Sequence, residues 1–153
     1  MVSTQRQSLR EYLRERMERG GPVVIGYLPG LYPDEATFDT EVELLVEHSV
    51  GDLEVGIPGK TPPMEGDTIS NALAEVEKVV PDPVRVLRLS MAIAAGCGAY
   101  PVAMAFAQTA LRIGLARFVR EAAAAGASAI LIPDIPEERR EELHAVAVER
   151  GVQ

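Results

Sequence analysis

The sequence predicts an α/β fold of parallel (βα) barrel type, a TIM-barrel-type half barrel of about four βα units. All 153 residues fall in one domain, 1–153. Three observations predict this. Short β-branched runs alternate strictly with amphipathic stretches, the order of a parallel sheet with right-handed crossovers. The turn after the first run, Leu28-Pro29-Gly30-Leu31-Tyr32-Pro33, is not the glycine-rich phosphate loop of an open doubly wound sheet. Glu54, Glu65, Gln108 and Asp134 fall at or just after expected strand ends, where a barrel holds its chemistry.

Each element has its own signal. An N-terminal helix (residues 1–20, preceding the first strand) follows from Leu9, Leu13 and Met17 spaced four apart with Tyr12 beside them, stopped by Gly20-Gly21. Pro22 to Leu28 reads as a short buried strand. Asp34 is a plausible cap for a helix carrying Phe38, Val42, Leu45 and Val46 up to His48. The second strand runs from Asp52 to Pro58. Ile69–Val80 and Val84–Ala95 read as two helices divided by Pro81-Asp82-Pro83. Pro101 to Ala107 is a third apolar strand. An alanine-rich helix, Leu115 to Ala125, has Gly126 just past its end. A fourth strand, Ala129 to Ile132, precedes a last helix from about Pro136, with Leu143 and Val146 facing in.

Composition excludes several classes. Hydrophobic residues make up 47% of the chain, yet no apolar run is long enough to span a bilayer. The least polar stretch, Ser90 to Leu111, is interrupted by Gly96, Gly98 and Pro101. The N-terminus carries Arg6, Arg10, Glu11, Arg14 and Glu15 and lacks the apolar centre of a signal peptide. The expectation is a cytoplasmic protein with no membrane partner. The net charge of −8, with basic residues scattered among acids, gives no footprint for nucleic acid. Cys97 is the single cysteine, so neither an internal disulfide nor a cysteine metal cluster is expected. His48 and His144 lie far apart and read as helix-surface side chains, so no metal site is expected.

The second strand and the loop after it carry the candidate chemistry. Leu53, Val55 and Ile57 alternate with Glu54, Gly56 and Pro58, so one face is apolar and the other presents a carboxylate. Packing the apolar face under helices leaves Glu54 on the concave, strand-lined side. The loop from Gly59 to Thr68 brings a second acid, Glu65. Two acids, one rigid on a strand and one on a loop, suit proton transfer. The same residues also fit a salt-bridged edge acid and a solvated loop charge, and the spacing alone leaves both readings open.

Four ordered blocks carry a family resemblance. They are Ile25-Gly26-Tyr27-Leu28-Pro29-Gly30-Leu31-Tyr32-Pro33-Asp34, Leu53-Glu54-Val55-Gly56-Ile57-Pro58, Pro62-Pro63-Met64-Glu65-Gly66-Asp67-Thr68-Ile69, and Ile130-Leu131-Ile132-Pro133-Asp134-Ile135-Pro136. In this order the chain resembles the tryptophan synthase alpha subunit over nearly its whole length. The resemblance implies a (βα)8 barrel carbon–carbon lyase of tryptophan biosynthesis that cleaves indole-3-glycerol phosphate to indole and glyceraldehyde 3-phosphate. It implies no cofactor in this chain; pyridoxal phosphate belongs to a beta-subunit partner that receives the indole. By motif position, Glu54 matches the family's general acid–base glutamate. Glu65 stands where the family has an aspartate that steadies charge on the indole nitrogen. Phe106 stands where a tyrosine is usual near the substrate. Ile25 is a further expected substrate contact, and Asp134 either touches substrate at the mouth of the fourth strand or caps the helix start at Pro136. Gly56 is expected to leave room for a flat ring.

The chain departs from the family pattern in three places. Glutamate at 65 adds a methylene, and a misplacement near 1 Å costs roughly a hundredfold in rate. Gly59-Lys60-Thr61-Pro62 replaces an aromatic, a serine, an aspartate and a proline in the loop that faces the beta subunit, which divides docking from simple surface drift. The sequence ends at Val152-Gln153, where a fifth strand is expected to begin, without the phosphate-binding glycines of later units. Half a barrel exposes two strand edges and an inner face including Val24 or Ile25, Met104 and Ile130 or their neighbours. A truncated product, a homodimer of two completing copies, and a non-catalytic remnant or regulatory half barrel binding a synthase subunit or itself are the corresponding expectations.

Overall fold

The computed structural model describes residues 7–20, 22–59 and 66–153. Helix α1 spans Leu9–Glu18 and begins with a capping box: the Ser8 Oγ accepts from the Glu11 amide, and the Ser8 amide donates to the Glu11 carboxylate at 2.9 Å. Strand β1, Ile25–Pro29, leads through the Asp34 cap into α2, Glu35–Glu47. Strand β2 is Asp52–Gly56, followed by α3, Asp67–Val79, and α4, Pro83–Gly96, whose N-cap is Asp82. Strand β3, Tyr100–Met104, is followed by α5, Ala107–Ile113, and α6, Leu115–Ala124. Strand β4, Ala129–Leu131, ends the sheet; a 3-10 turn at Glu137–Arg139 opens α7, Arg140–Arg150.

The four strands are parallel and lie in sequence order β1-β2-β3-β4. Helices α2, α4, α6 and α7 stand side by side over one face. Leu53, Val55 and Ile57 enter the main core beneath them, with Phe38, Leu87, Met91 and Phe118. The other face is concave and carries Ile25 and Tyr27, then Asp52 and Glu54, then Tyr100 and Val102, then Ala129 and Leu131, in rows across the strands. Helix α1 seats Leu9, Tyr12 and Leu13 against Val102, Ala129, Tyr100 and Leu131. Part of the inner face expected to lie bare is therefore covered by the chain's own first helix.

Several sequence expectations are corrected. The first strand starts at Ile25, not Pro22, and is not buried: Val24 and Ile25 are each 54% exposed because β1 is an edge with a neighbour on one side only. The third strand stops at Met104; Ala107 and Gln108 belong to α5, and Gln108 is an exposed helix residue. Alternation turns Ile130 away from the inner face, toward Val119 and Leu143. Gln153 lies along the outer edge of β4, donating to the Ser128 carbonyl at 3.1 Å and accepting from the Ile130 amide at 2.8 Å.

Candidate active site on the inner sheet face

Glu54 sits in the middle of the second strand, half-buried between Tyr27 of β1 and Val102 of β3. Its chain neighbours Leu53 and Val55 are 1% and 0% exposed on the helix side. The buried flanks fix which way Glu54 points, since a one-residue slip would drive a carboxylate into the core. It stands on the inner face, as the alternation predicts.

A second carboxylate shares that face. Asp52, two residues earlier, is level with Ile25 and Tyr100 and only 3% exposed. Its Oδ1 is buried and has no hydrogen-bond partner among the described residues. Burial, with the nearby Glu54 charge adding to it, pushes the Asp52 carboxyl up to about 6. Strand periodicity puts Asp52 on the same face as Glu54, a site residue that the sequence reading missed; an acid at the foot of a strand gives no sign that it will be enclosed.

The space above Glu54 is also occupied. A Cβ on Gly56 would meet Tyr27 Oη, with Tyr27 Cζ at 3.0 Å. The flat ring that glycine accommodates is thus the chain's own Tyr27, which corrects the expectation of room left for another. Tyr27 is the β1 residue level with Glu54, whereas Ile25 stands one row lower, at the N-terminal end of the strand.

Phe106 is buried, 6% exposed, and forms the N-cap of α5 just past β3. Asp134 lies past the end of β4, and its Oδ1 accepts from the Ala107 amide at 2.7 Å. It therefore satisfies the first turn of α5 and not the turn at Pro136, which has no side-chain cap. This joins the segments after β3 and β4 at the mouth of the sheet. Lys60, Thr61 and Glu65 lie outside the described residues, as does most of the expected docking loop.

Away from this face, Asp39, Glu43 and Cys97 bring their ligand atoms within 4.8 Å of one another on the outer helical layer. The Cys97 Sγ donates to Asp39 Oδ1 at 3.4 Å. Burial, that hydrogen bond and the Asp39 charge push the thiol up to about 11.

Sequential parallel strands with helices over one side define this chain as part of a (βα) barrel. The sequence profile described as tryptophan synthase alpha chain matches residues 13–153, and the chain belongs to that family. It is 30% identical over 142 residues to the tryptophan synthase alpha chain of Acidothermus cellulolyticus, covering 93% of this chain and 53% of that one. It is 38% identical over 125 residues to that of Mycobacterium avium, covering 80% and 45%. Among solved structures, the ligand-free form of tryptophan synthase from M. tuberculosis superposes with a TM-score of 0.80 at 27% identity, over 95% of this chain and 59% of that one. The alpha subunit from Legionella pneumophila reaches a TM-score of 0.82 at 19% identity, a likeness of fold. The chain spans about half the length of the curated relatives it matches.

Proposed function

We propose that the chain is the catalytic-face half of a lyase that cleaves indole-3-glycerol phosphate to indole and glyceraldehyde 3-phosphate. The observation that carries this reading is Glu54, held on a central strand with its carboxylate on the concave face and apolar neighbours locked beneath the helices. A strand holds such a group rigidly, which is what a general acid–base needs. In the proposed retro-aldol step Glu54 moves protons at the indole ring and at the glycerol hydroxyl. The ring carbon gains a proton, the hydroxyl loses one and becomes the aldehyde carbonyl, and the bond between the two carbons breaks.

Glu65 remains the proposed second acid, for charge on the indole nitrogen, and Phe106, Ile25 and Asp134 remain proposed substrate contacts. The relatives' name supports a tryptophan synthase beta subunit as partner, and pyridoxal phosphate is proposed for that subunit and not for this chain. Among the described residues no helix is long and apolar enough to cross a membrane. A second reading, a non-catalytic half barrel that binds a synthase subunit or itself, is favoured by the Tyr27 ring lying over Gly56. The two readings separate on release of indole from indole-3-glycerol phosphate, measured on the purified chain alone and with a beta subunit. Cleavage supports the lyase; beta-subunit binding without cleavage supports the second reading.

A further inference from the structure

Asp52 is enclosed more completely than any use assigned so far explains. It lies on β2 two strand steps below Glu54, roughly 6.6 Å along the strand, and both side chains point to the inner face. On β1 the residue level with it is Ile25, with Tyr27 one row above; on β3 it is Tyr100. From α1, Tyr12 stacks on Tyr100 with ring centroids 4.5 Å apart, and its Cζ lies 2.9 Å from where a Cβ of Gly51 would stand. The nearby α1 cations are engaged elsewhere: Arg16 donates to the Ser49 carbonyl at 3.4 Å, and Arg14 faces Glu18 at 3.9 Å. Among the described residues, the titratable groups facing Asp52 are Glu54, Tyr27, Tyr100 and Tyr12. None of them is a cation that would hold Asp52 ionised.

We infer that Asp52 is a positioning residue for Glu54, an enclosed carboxyl two residues before it on the same sheet face whose protonation follows the Glu54 charge and so limits the charge that face carries while Glu54 is ionised. Two carboxylates in one poorly solvated row resist being charged together. When Glu54 gives its proton away, its new charge favours keeping a proton on Asp52; when Glu54 is reprotonated, Asp52 is freer to ionise. The phenols of Tyr12 and Tyr100 close the site from below and keep water from erasing that influence. The inference rests on the reading of Glu54 as the acid–base group, and its first test does not depend on turnover.

The experiment is a carbon-13 NMR titration of the side-chain carboxyls in the full chain, as wild type and as Glu54→Gln. The expected result is an Asp52 midpoint near 6 that moves down by about 0.5–1 pH unit when the Glu54 charge is removed. An Asp52 midpoint that does not respond to Glu54→Gln overturns the inference, whether or not the chain is a lyase. Where indole release is measurable, Asp52→Asn should move the acid limb of its pH profile and change kcat more than KM. A purely structural role would lower thermal stability and leave that limb in place. If Asp52→Asn fails to fold, the titration of the Glu54→Gln chain still decides.

Discussion

The Tyr27 ring lies over Gly56 of the neighbouring strand, its Cζ 3.0 Å from where a Gly56 Cβ would stand. Glycine at 56 and tyrosine at 27 are therefore one packing unit on the inner face. Gly56→Ala should destabilise the fold by about 1–3 kcal/mol, the usual cost of overpacking. Tyr27→Ala in the same chain should recover most of that loss, because it removes the atoms the new methyl meets. Urea denaturation of the two single variants and the double variant measures the coupling; additive losses would refute it.

Asp52 makes stability depend on pH in an unusual direction. Its folded carboxyl is raised from 3.8 to about 6, so between those values the folded chain binds more protons than the unfolded one. Stability from this residue is complete below pH 3.8 and is lost as pH rises through 6. Asp52→Asn should therefore raise stability at pH 7.5 by roughly 1–3 kcal/mol and do little at pH 4. Thermal melts of both chains across that range check the sign.

Much of this was legible in the sequence. Leu53, Val55 and Ile57 alternate strictly, so the strand, its buried face and the direction of Glu54 all followed. Asp34 capping α2 and Gly126 just past α6 followed from local chemistry. The segment after β3 did not follow: Ala105-Phe106-Ala107 is as apolar as a buried strand, and only Asp134, distant in sequence, shows why a helix starts there. The enclosure of Asp52 was hidden for a similar reason. It depends on Tyr12 and Tyr100, which tertiary packing brings together.

Cys97 should be a slow nucleophile. With its thiol pushed up to about 11, only about one molecule in a thousand carries the thiolate at pH 8. Asp39→Ala removes the hydrogen-bond acceptor and the charge that favour the protonated thiol, so alkylation by iodoacetamide should speed up several-fold. Equal rates in the two chains would show that Asp39 does not act on Cys97.

The two flanks of the sheet should bring copies together. On the β1 side a groove is lined by Leu28, Glu41, Leu44, Leu45 and His48, with Leu44 50% exposed. On the β4 side another is lined by Ile130, Arg140, Leu143, His144 and Ala147, and Val148 on the same helix is 63% exposed. Apolar surface at both edges favours contact between copies. Light scattering at micromolar concentration should show species larger than a monomer, reduced by Leu44→Glu. A monodisperse monomer would contradict this.

We propose that Glu54, on the inner face of the sheet, moves the protons in carbon–carbon cleavage. Indole release from indole-3-glycerol phosphate, followed for the wild-type chain and Glu54→Gln under the same conditions, tests it most directly. The wild type should release indole measurably and Glu54→Gln at least a hundredfold less, in keeping with the usual size of general acid–base effects, with cooperative thermal unfolding retained. Release by Glu54→Gln at the wild-type rate would contradict it.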